Sequence, residues 1–226
     1  MNKKTRVQNM FDSIAYRYDL LNHLLSAGID IYWRKKALRL SGINSDSVLL
    51  DVACGTGDFA ITARKMGITK IFCADLSREM LLHFKKKTSW IPGHLIQMVA
   101  ENCPIKESSV SHITVAFGVR NFYDIPASFA SFYGILSPGG KVTILEFRMP
   151  SNPLIRSIYR FYFNRILPLI GRLISKDKEA YTYLPESVEE FDRNVNLQEL
   201  FRKAGYRKIE NHPLTFGLVQ VVIASK

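Results

Sequence analysis

Cysteine is scarce in this chain: there are three in 226 residues, Cys54, Cys73 and Cys103, far apart and without a CxxC pair. A disulfide scaffold and a zinc knuckle are therefore excluded, no metal centre is expected, and a reducing cytoplasm is the expected compartment. No apolar run approaches the ~18–20 residues that a membrane span requires. The basic opening Met1-Asn2-Lys3-Lys4-Thr5-Arg6 leads into no apolar stretch, so no secretory leader is expected. Internal repeats and low-complexity tracts are also missing. What remains is an ordinary globular composition, 47% hydrophobic and 23% charged, at a length that suits one domain with a small insertion.

Acidic residues are the minority, and the net charge is +11. Residues 1–40 carry a net +5 and residues 151–178 another +5, whereas 41–150 carry +2 and 179–226 carry −1. Both basic segments are also apolar and aromatic. Such interleaving suits nucleic acid, an anionic membrane surface, or a solvated face with a packed stripe behind it. The acidic C-terminal stretch leaves no continuous basic groove in the sequence, so nucleic acid is not the expected partner.

The periodicity predicts helices over 1–40, with Val7, Met10, Phe11 and Ile14 and then Leu20, Leu21, Leu24 and Leu25 at three-to-four spacing. Continuous apolar runs predict parallel strands at Ser47–Ala53, Lys70–Asp75, Leu95–Ala100, His112–Phe117 and Lys141–Phe147. Helices are expected between them at Asp58–Met66, Arg78–Lys87 (capped by Ser77) and Ile125–Leu136, with a tight turn at Ser137–Gly140. Strand–helix alternation over 47–147 means a doubly wound parallel sheet. Asn152-Pro153 opens a long aromatic helix running to about Ser175, kinked at Pro168. A helix at Asn196–Ala204 and strands at Lys208–Asn211 and Leu218–Ala224 follow, the last expected to close the sheet.

The sharpest local signal is Asp51-Val52-Ala53-Cys54-Gly55-Thr56-Gly57-Asp58-Phe59-Ala60, between the first strand and its helix. Glycines there allow a tight turn and a close approach of ligand to backbone amides. The loose dinucleotide fingerprint is satisfied too. Electrostatics separates the two ligands. Asp51 and Asp58 repel a diphosphate, by roughly 4 kcal/mol per close charge pair near a protein surface. S-adenosyl-L-methionine instead carries a sulfonium and an ammonium group, which a carboxylate attracts. Asp75, ending the second strand, is placed to take ribose hydroxyls. The acids favour the methyl donor over a nicotinamide dinucleotide.

The DVACGTGDF and ADLS segments resemble a class I methyltransferase. Tyr18-Asp19-Leu20-Leu21-Asn22 with Ser26 and Trp33, then Ala116-Phe117-Gly118-Val119-Arg120-Asn121, Leu136-Ser137-Pro138-Gly139-Gly140 and Glu146-Phe147, resemble successive blocks of the quinone C-methyltransferase family. Glu179-Ala180-Tyr181-x-Tyr183-Leu184-Pro185-Glu186-Ser187-Val188 and Leu214-Thr215-Phe216-Gly217 complete the series in order. Departures are His23 where the family has Asp, Asp30 where it has His, Val99 for a polar residue near the adenine, Ala116 for Ser, Ile105 for Phe and Asp192 for Pro.

The resemblance implies an α/β, Rossmann-like class I methyltransferase fold: a doubly wound, mostly parallel sheet with a helical N-terminal arm and a helical insertion before the last two strands. A single domain over 1–226 is expected, parsed as arm 1–40, cofactor-binding core 41–150, helical lid 151–190 and C-terminal helix and strands 191–226. It also implies methyl transfer from S-adenosyl-L-methionine to a ring carbon of a polyprenyl hydroquinone, demethylmenaquinol by preference. Another apolar small molecule is the alternative acceptor. The cofactor is expected on Asp51, Gly55, Thr56, Gly57, Asp75, Val99, Ala100 and Glu101. Arg120 is the expected partner of a ring phenolate, Asn121 orients the ring oxygens, and Tyr18 relays a proton or covers the site. A structural ion pair between Arg120 and Glu146 is the competing reading. His23 and His112 titrate near neutrality and are weaker candidates for a base. Residues 153–175, with Arg156, Arg160, Arg165 and Arg172 among aromatics, are expected to cover the quinol pocket or rest peripherally on anionic membrane at its inner face. A homodimer is compatible with this reading.

Overall fold

The computed structural model describes residues 3–17, 26, 28–91, 93–166 and 179–226. Two helices, α1 (Lys3–Ile14) and α2 (Ile29–Ser41), precede the sheet. Then follow β1 (Val48–Val52), α3 (Asp58–Lys65), β2 (Lys70–Asp75), α4 (Arg78–Lys87), β3 (Leu95–Gln97), β4 (Val110–Ala116), α5 (Ile125–Ile135) and β5 (Leu136–Phe147). The chain continues through α6 (Pro153–Phe161), α7 (Glu179–Asn194), α8 (Leu197–Lys203), β6 (Lys208–Leu214) and β7 (Val219–Ser225).

The seven strands lie in the order β3-β2-β1-β4-β5-β7-β6. Strands β1 to β5 run parallel, and β7 is antiparallel to both of its neighbours. The expectation that the last strand closes the sheet is corrected here: β7 inserts between β5 and β6, and β6 is the edge. Its apolar run explains this, since Val219, Val221, Val222, Ile223 and Ala224 are all buried, as a strand covered on both faces must be.

Each face of the sheet has its own core. On one side, Phe129 and Phe132 of α5 and Phe201 of α8 pack on Leu50, Val52, Ile113 and Val115. Phe129 and Phe201 stack at 3.9 Å and are fully buried. On the other, Trp33 and Leu38 of α2, Phe59 of α3 and Phe84 of α4 cover Leu49, Ile71 and Leu145. Strand neighbours alternate between the two cores, which is what period-2 side chains between two helical layers require.

Local chemistry sets the helix starts. Ser77 accepts from the Met80 amide at 3.1 Å, Asn152 from Leu154 and Ile155, and Asn196 from Glu199. Some expected elements differ. The Ser137–Gly140 turn is absorbed into β5, where Val110 faces Leu136 but His112 faces Lys141, so the extra residues bulge through Gly139 at φ +74°. Strand β3 ends at Gln97, and the chain then turns along the carboxyl edge. Helix α6 ends at Phe161 and widens into a π-turn over Tyr162–Ile166; the expected kink at Pro168 lies outside the described residues. Helix α7 begins within the expected helical lid of 151–190 and runs past it to Asn194, tolerating Pro185 seven residues in.

Replacing Phe201 with Ala removes half of the fully buried stack, and a loss of about 3–5 kcal/mol is expected for an aromatic deleted from a core. Urea denaturation of the purified variant measures it.

Candidate active site

Strand order reverses between β1 and β4, and a parallel sheet binds its ligands outside the carboxyl ends of the strands at such a point. A crevice of about 770 Å³, open mouth included, lies there. The ends of β1 (Val52, Ala53, Gly55), β2 (Asp75 to Ser77), β3 (Met98 to Glu101) and β4 (Ala116 to Gly118) form its walls. A smaller adjoining recess of about 350 Å³ is bounded by Arg34, Asp51, Gly55, Thr56, Asp58 and Phe117.

The glycine loop shapes the junction. Gly57 sits at φ +88°, and a Cβ there would lie 2.2 Å from the Phe84 ring, so only glycine fits. The Gly55 amide donates to Asp75 Oδ2 at 2.8 Å, and the Ser77 amide donates to Asp75 Oδ1 at 2.8 Å. Burial still raises the Asp75 pKa to about 6 against those two bonds. Across the loop, a Cβ on Gly118 would come within 2.7 Å of the Ala53 Cβ. This glycine lets the β4 loop close on the β1 loop.

Asp51 is the outstanding group. Its Oδ1 accepts from the Thr114 hydroxyl at 2.7 Å, while Oδ2 is buried with no hydrogen-bond partner among the described residues. Burial raises its pKa to about 7, against the Thr114 bond, the charge of Arg34 and the nearby Ala60 amide, which approaches the carboxylate without closing a hydrogen bond to Oδ2. A buried carboxylate oxygen without a donor awaits a cation or a hydrogen-bond donor. Arg34 is only 6% exposed, pairs with Asp30 one helical turn earlier, and lies 3.7 Å from Asp58. The recess thus offers a carboxylate for an ammonium and a guanidinium for a carboxylate, which is the donor set a free amino-acid moiety needs. The larger crevice, apolar with Asp75 at its edge, suits an adenosine.

The expected cofactor residues therefore meet at one place. Asp51, Gly55 and Thr56 line the recess, while Gly55, Asp75, Val99, Ala100 and Glu101 line the crevice. Gly57 acts through the turn. Glu101 Oε1 accepts from the Tyr123 and Asp124 amides, so its side chain braces a loop. Of the acceptor-side residues, Asn121 lines the crevice and its Oδ1 accepts from the Tyr183 hydroxyl at 2.9 Å. Arg120 is engaged: Nη1 donates to Glu146 Oε1 at 2.8 Å and to the Phe117 carbonyl at 2.5 Å, and Nε donates to Ser187 at 3.3 Å. The ion-pair alternative is what the structure displays, so Arg120 offers shared hydrogen bonds rather than a lone positive charge. Tyr18 and His23 lie outside the described residues. His112 sits in the early half of β4, away from the carboxyl edge, and burial and Lys141 lower its pKa; it is no base for this crevice.

Three features escaped the sequence reading. Val7, Gln8 and Phe11 of α1 line the crevice, and Asp12 accepts from the Ser77 hydroxyl, so the arm lies against the adenosine side. Arg34 was overlooked, although Asp30 and Arg34 at i, i+4 beside the buried Trp33 hint at a buried pair. Phe117 takes a left-handed backbone (φ 55°), which turns the chain out of β4 toward the site.

The fold and this crevice together define a class I methyltransferase. The model of the ubiE/COQ5 methyltransferase family matches residues 1–226, and the chain belongs to that family. It is 40% identical over 227 residues to a demethylmenaquinone methyltransferase of Chlorobaculum parvum, covering 99% of this chain and 93% of that one. A Geotalea daltonii protein named ubiquinone/menaquinone biosynthesis C-methyltransferase UbiE is 40% identical over 230 residues, covering 99% and 97%. Among solved structures, a Methanococcus maripaludis protein assigned as an S-adenosyl-L-methionine-dependent methyltransferase shares the fold at TM-score 0.65 and 22% identity, over 95% of this chain and 93% of that one.

A carboxylate must be ionised to hold an ammonium, and Asp51 is half protonated near pH 7. Affinity for S-adenosyl-L-methionine is expected to fall up to about tenfold per unit as pH drops from 7 to 5, with proton release on binding. Asp75 adds to the slope below pH 6. Calorimetry across that range checks this, and Asp51→Asn should remove the dependence above pH 6.

Proposed function

We infer that this chain transfers a methyl group from S-adenosyl-L-methionine to a ring carbon of a polyprenyl hydroquinone, converting demethylmenaquinol to menaquinol late in menaquinone or ubiquinone synthesis. The observation that carries this reading is the 40% identity, along essentially the full chain, to proteins named for that step. The orphaned Asp51 oxygen supports the choice of donor.

The donor supplies an already electrophilic methyl group, so the protein need not activate it. Its own tasks are on the acceptor. A ring carbon becomes nucleophilic when a neighbouring phenol, of pKa about 10, loses its proton. Positioning carbon against methyl can supply ~7–11 kcal/mol. Asn121 reaches the crevice from the same turn that carries Arg120, a suitable place from which to orient ring oxygens. Incubation with demethylmenaquinol, the ubiquinone precursor and an unrelated apolar phenol, each with labelled donor, tests the reading. Methylated menaquinol as the main product is expected; label on the unrelated phenol alone contradicts it.

A prenyl tail lives in the bilayer, and no helix among the described residues is long and apolar enough to cross one. The enzyme therefore meets its acceptor at the surface. Helix α6 is suited to that: Leu154, Ile158 and Phe161 fall on one face at i, i+4, i+7 and are 70%, 61% and 62% exposed. Arg165 is exposed just beyond, and Arg160, paired with Glu189, is exposed too. Apolar side chains flanked by cations suit an anionic interface at the inner face of the membrane. The double variant Ile158→Asp, Phe161→Asp is expected to bind phosphatidylglycerol vesicles at least tenfold more weakly in sedimentation. Unchanged pelleting contradicts membrane docking through α6.

A further inference from the structure

Methylation of a ring carbon releases one proton overall, and a base must first take the proton of the ring hydroxyl. Among the described histidines, none lines the crevice. His112 is in the early half of β4, His94 precedes β3, His83 lies on α4 against Tyr16, and His212 is on β6 beside Glu210. Asp51 faces the donor's recess. An arginine does not give up its proton and cannot act as the base.

Glu146 is the penultimate residue of β5, at the carboxyl edge of the sheet and behind the crevice wall, joined through Arg120 to the carbonyl of Phe117, which lines the crevice. It is fully buried. Its Oε1 accepts from Arg120 at 2.8 Å and from the Phe147 amide at 2.9 Å, whereas Oε2 is buried without a hydrogen-bond partner among the described residues. The Tyr159 hydroxyl on α6 is likewise buried and unpartnered, and it feels the charges of Arg120 and Glu146. Two such groups left bare carry an unrepaid desolvation penalty. A polar hydrogen arriving from a ligand or its bound water removes that penalty. We propose that Glu146 Oε2 is the atom that receives the ring-hydroxyl proton in methyl transfer, with Arg120 holding the carboxylate in place and Tyr159 beside the route. This rests on the quinol reading above.

The bonds balance as follows. The O–H bond breaks with its proton passing to Glu146 and its pair remaining on the ring oxygen. That pair is delocalised to the neighbouring carbon, which forms the new C–CH3 bond, and the old methyl bonding pair is left on sulfur. The carbon then sheds its hydrogen to solvent, and Glu146 returns its proton to the ring oxygen. One proton leaves, and the carboxylate is restored.

The groups around Glu146 set its titration. Burial raises its proton affinity, and Arg120 opposes this. Tyr159 on α6 and Tyr183 on α7 face it as neutral phenols that burial holds above their ordinary range. Glu189 and Asp192 on α7 add negative charge near Tyr159, and Arg148 lies 3.8 Å from Asp192. A base of this kind contributes typically 10²–10⁴-fold.

The test compares wild type, Glu146→Gln and Glu146→Asp on demethylmenaquinol from pH 5 to 10, with donor affinity measured by calorimetry. In wild type, kcat at saturating donor, where the titration of Asp51 no longer limits binding, should rise with pH through one deprotonation above the ordinary carboxylate range. Glu146→Gln should lose 10²–10⁴-fold at pH 7, keep donor affinity within threefold, and recover at least tenfold toward pH 10, where the free phenol ionises unaided. Glu146→Asp should retain the wild-type profile shape at reduced rate. A purely structural role predicts equal loss at every pH. A wild-type profile flat from pH 5 to 9 overturns the proposal without any variant. If wild type fails to methylate the quinol at all, the acceptor reading fails instead.

Discussion

A bare carboxylate oxygen at the end of the central strand is the constraint around which this molecule is arranged. Asp51 sits on β1, flanked by β2 and β4, with helices over both faces, so water is excluded and burial pushes its proton affinity up. The Thr114 hydroxyl from β4 satisfies one oxygen. The other faces a recess with Arg34 and the glycine loop around it. A fold sustains such a group when something cationic completes it. Gly118 lets the β4 loop close on Ala53 of the β1 loop, Gly57 lets the glycine loop pack against Phe84, and neither position has room for a side chain.

Two charge pairs divide the labour at the carboxyl edge. Arg34 with Asp30 and Asp58 belongs to α2 and α3 and faces the donor side. Arg120 with Glu146 belongs to the β4 turn and to β5, beneath α6 and α7, and reaches back to the crevice through the Phe117 carbonyl. The two pairs stand on either side of Phe117, whose ring Arg34 approaches at 5.7 Å. One loop residue thereby touches both Arg34 of the recess and Arg120 of the Glu146 pair.

Much of the core was legible in the sequence because its signals are local. Continuous apolar runs marked five parallel strands, Ser77 and Asn152 marked helix starts, and the DVACGTGD loop marked the ligand edge. Signals that depend on distant residues were harder to read. The order β5-β7-β6 follows from how β7 is covered on both faces, which its own residues hint at but do not specify. That α1 lines the crevice depends on Asp12 meeting Ser77, 65 positions away. For Arg120 the sequence left two readings open, a phenolate partner or an ion pair with Glu146 26 residues on; pairing of β4 with β5 brings the two side chains together. Helix α7 overlaps the expected lid, but its C-terminal bound at Asn194, four residues past the expected 190, was not legible.

Crystallography of the protein with S-adenosylhomocysteine tests the central claim most directly. The account predicts the amino group within about 3 Å of Asp51 Oδ2, a hydrogen-bond distance, with the ribose hydroxyls on Asp75 and the carboxylate toward Arg34. An amino-acid moiety placed elsewhere, with Asp51 Oδ2 still lacking a partner, would contradict it.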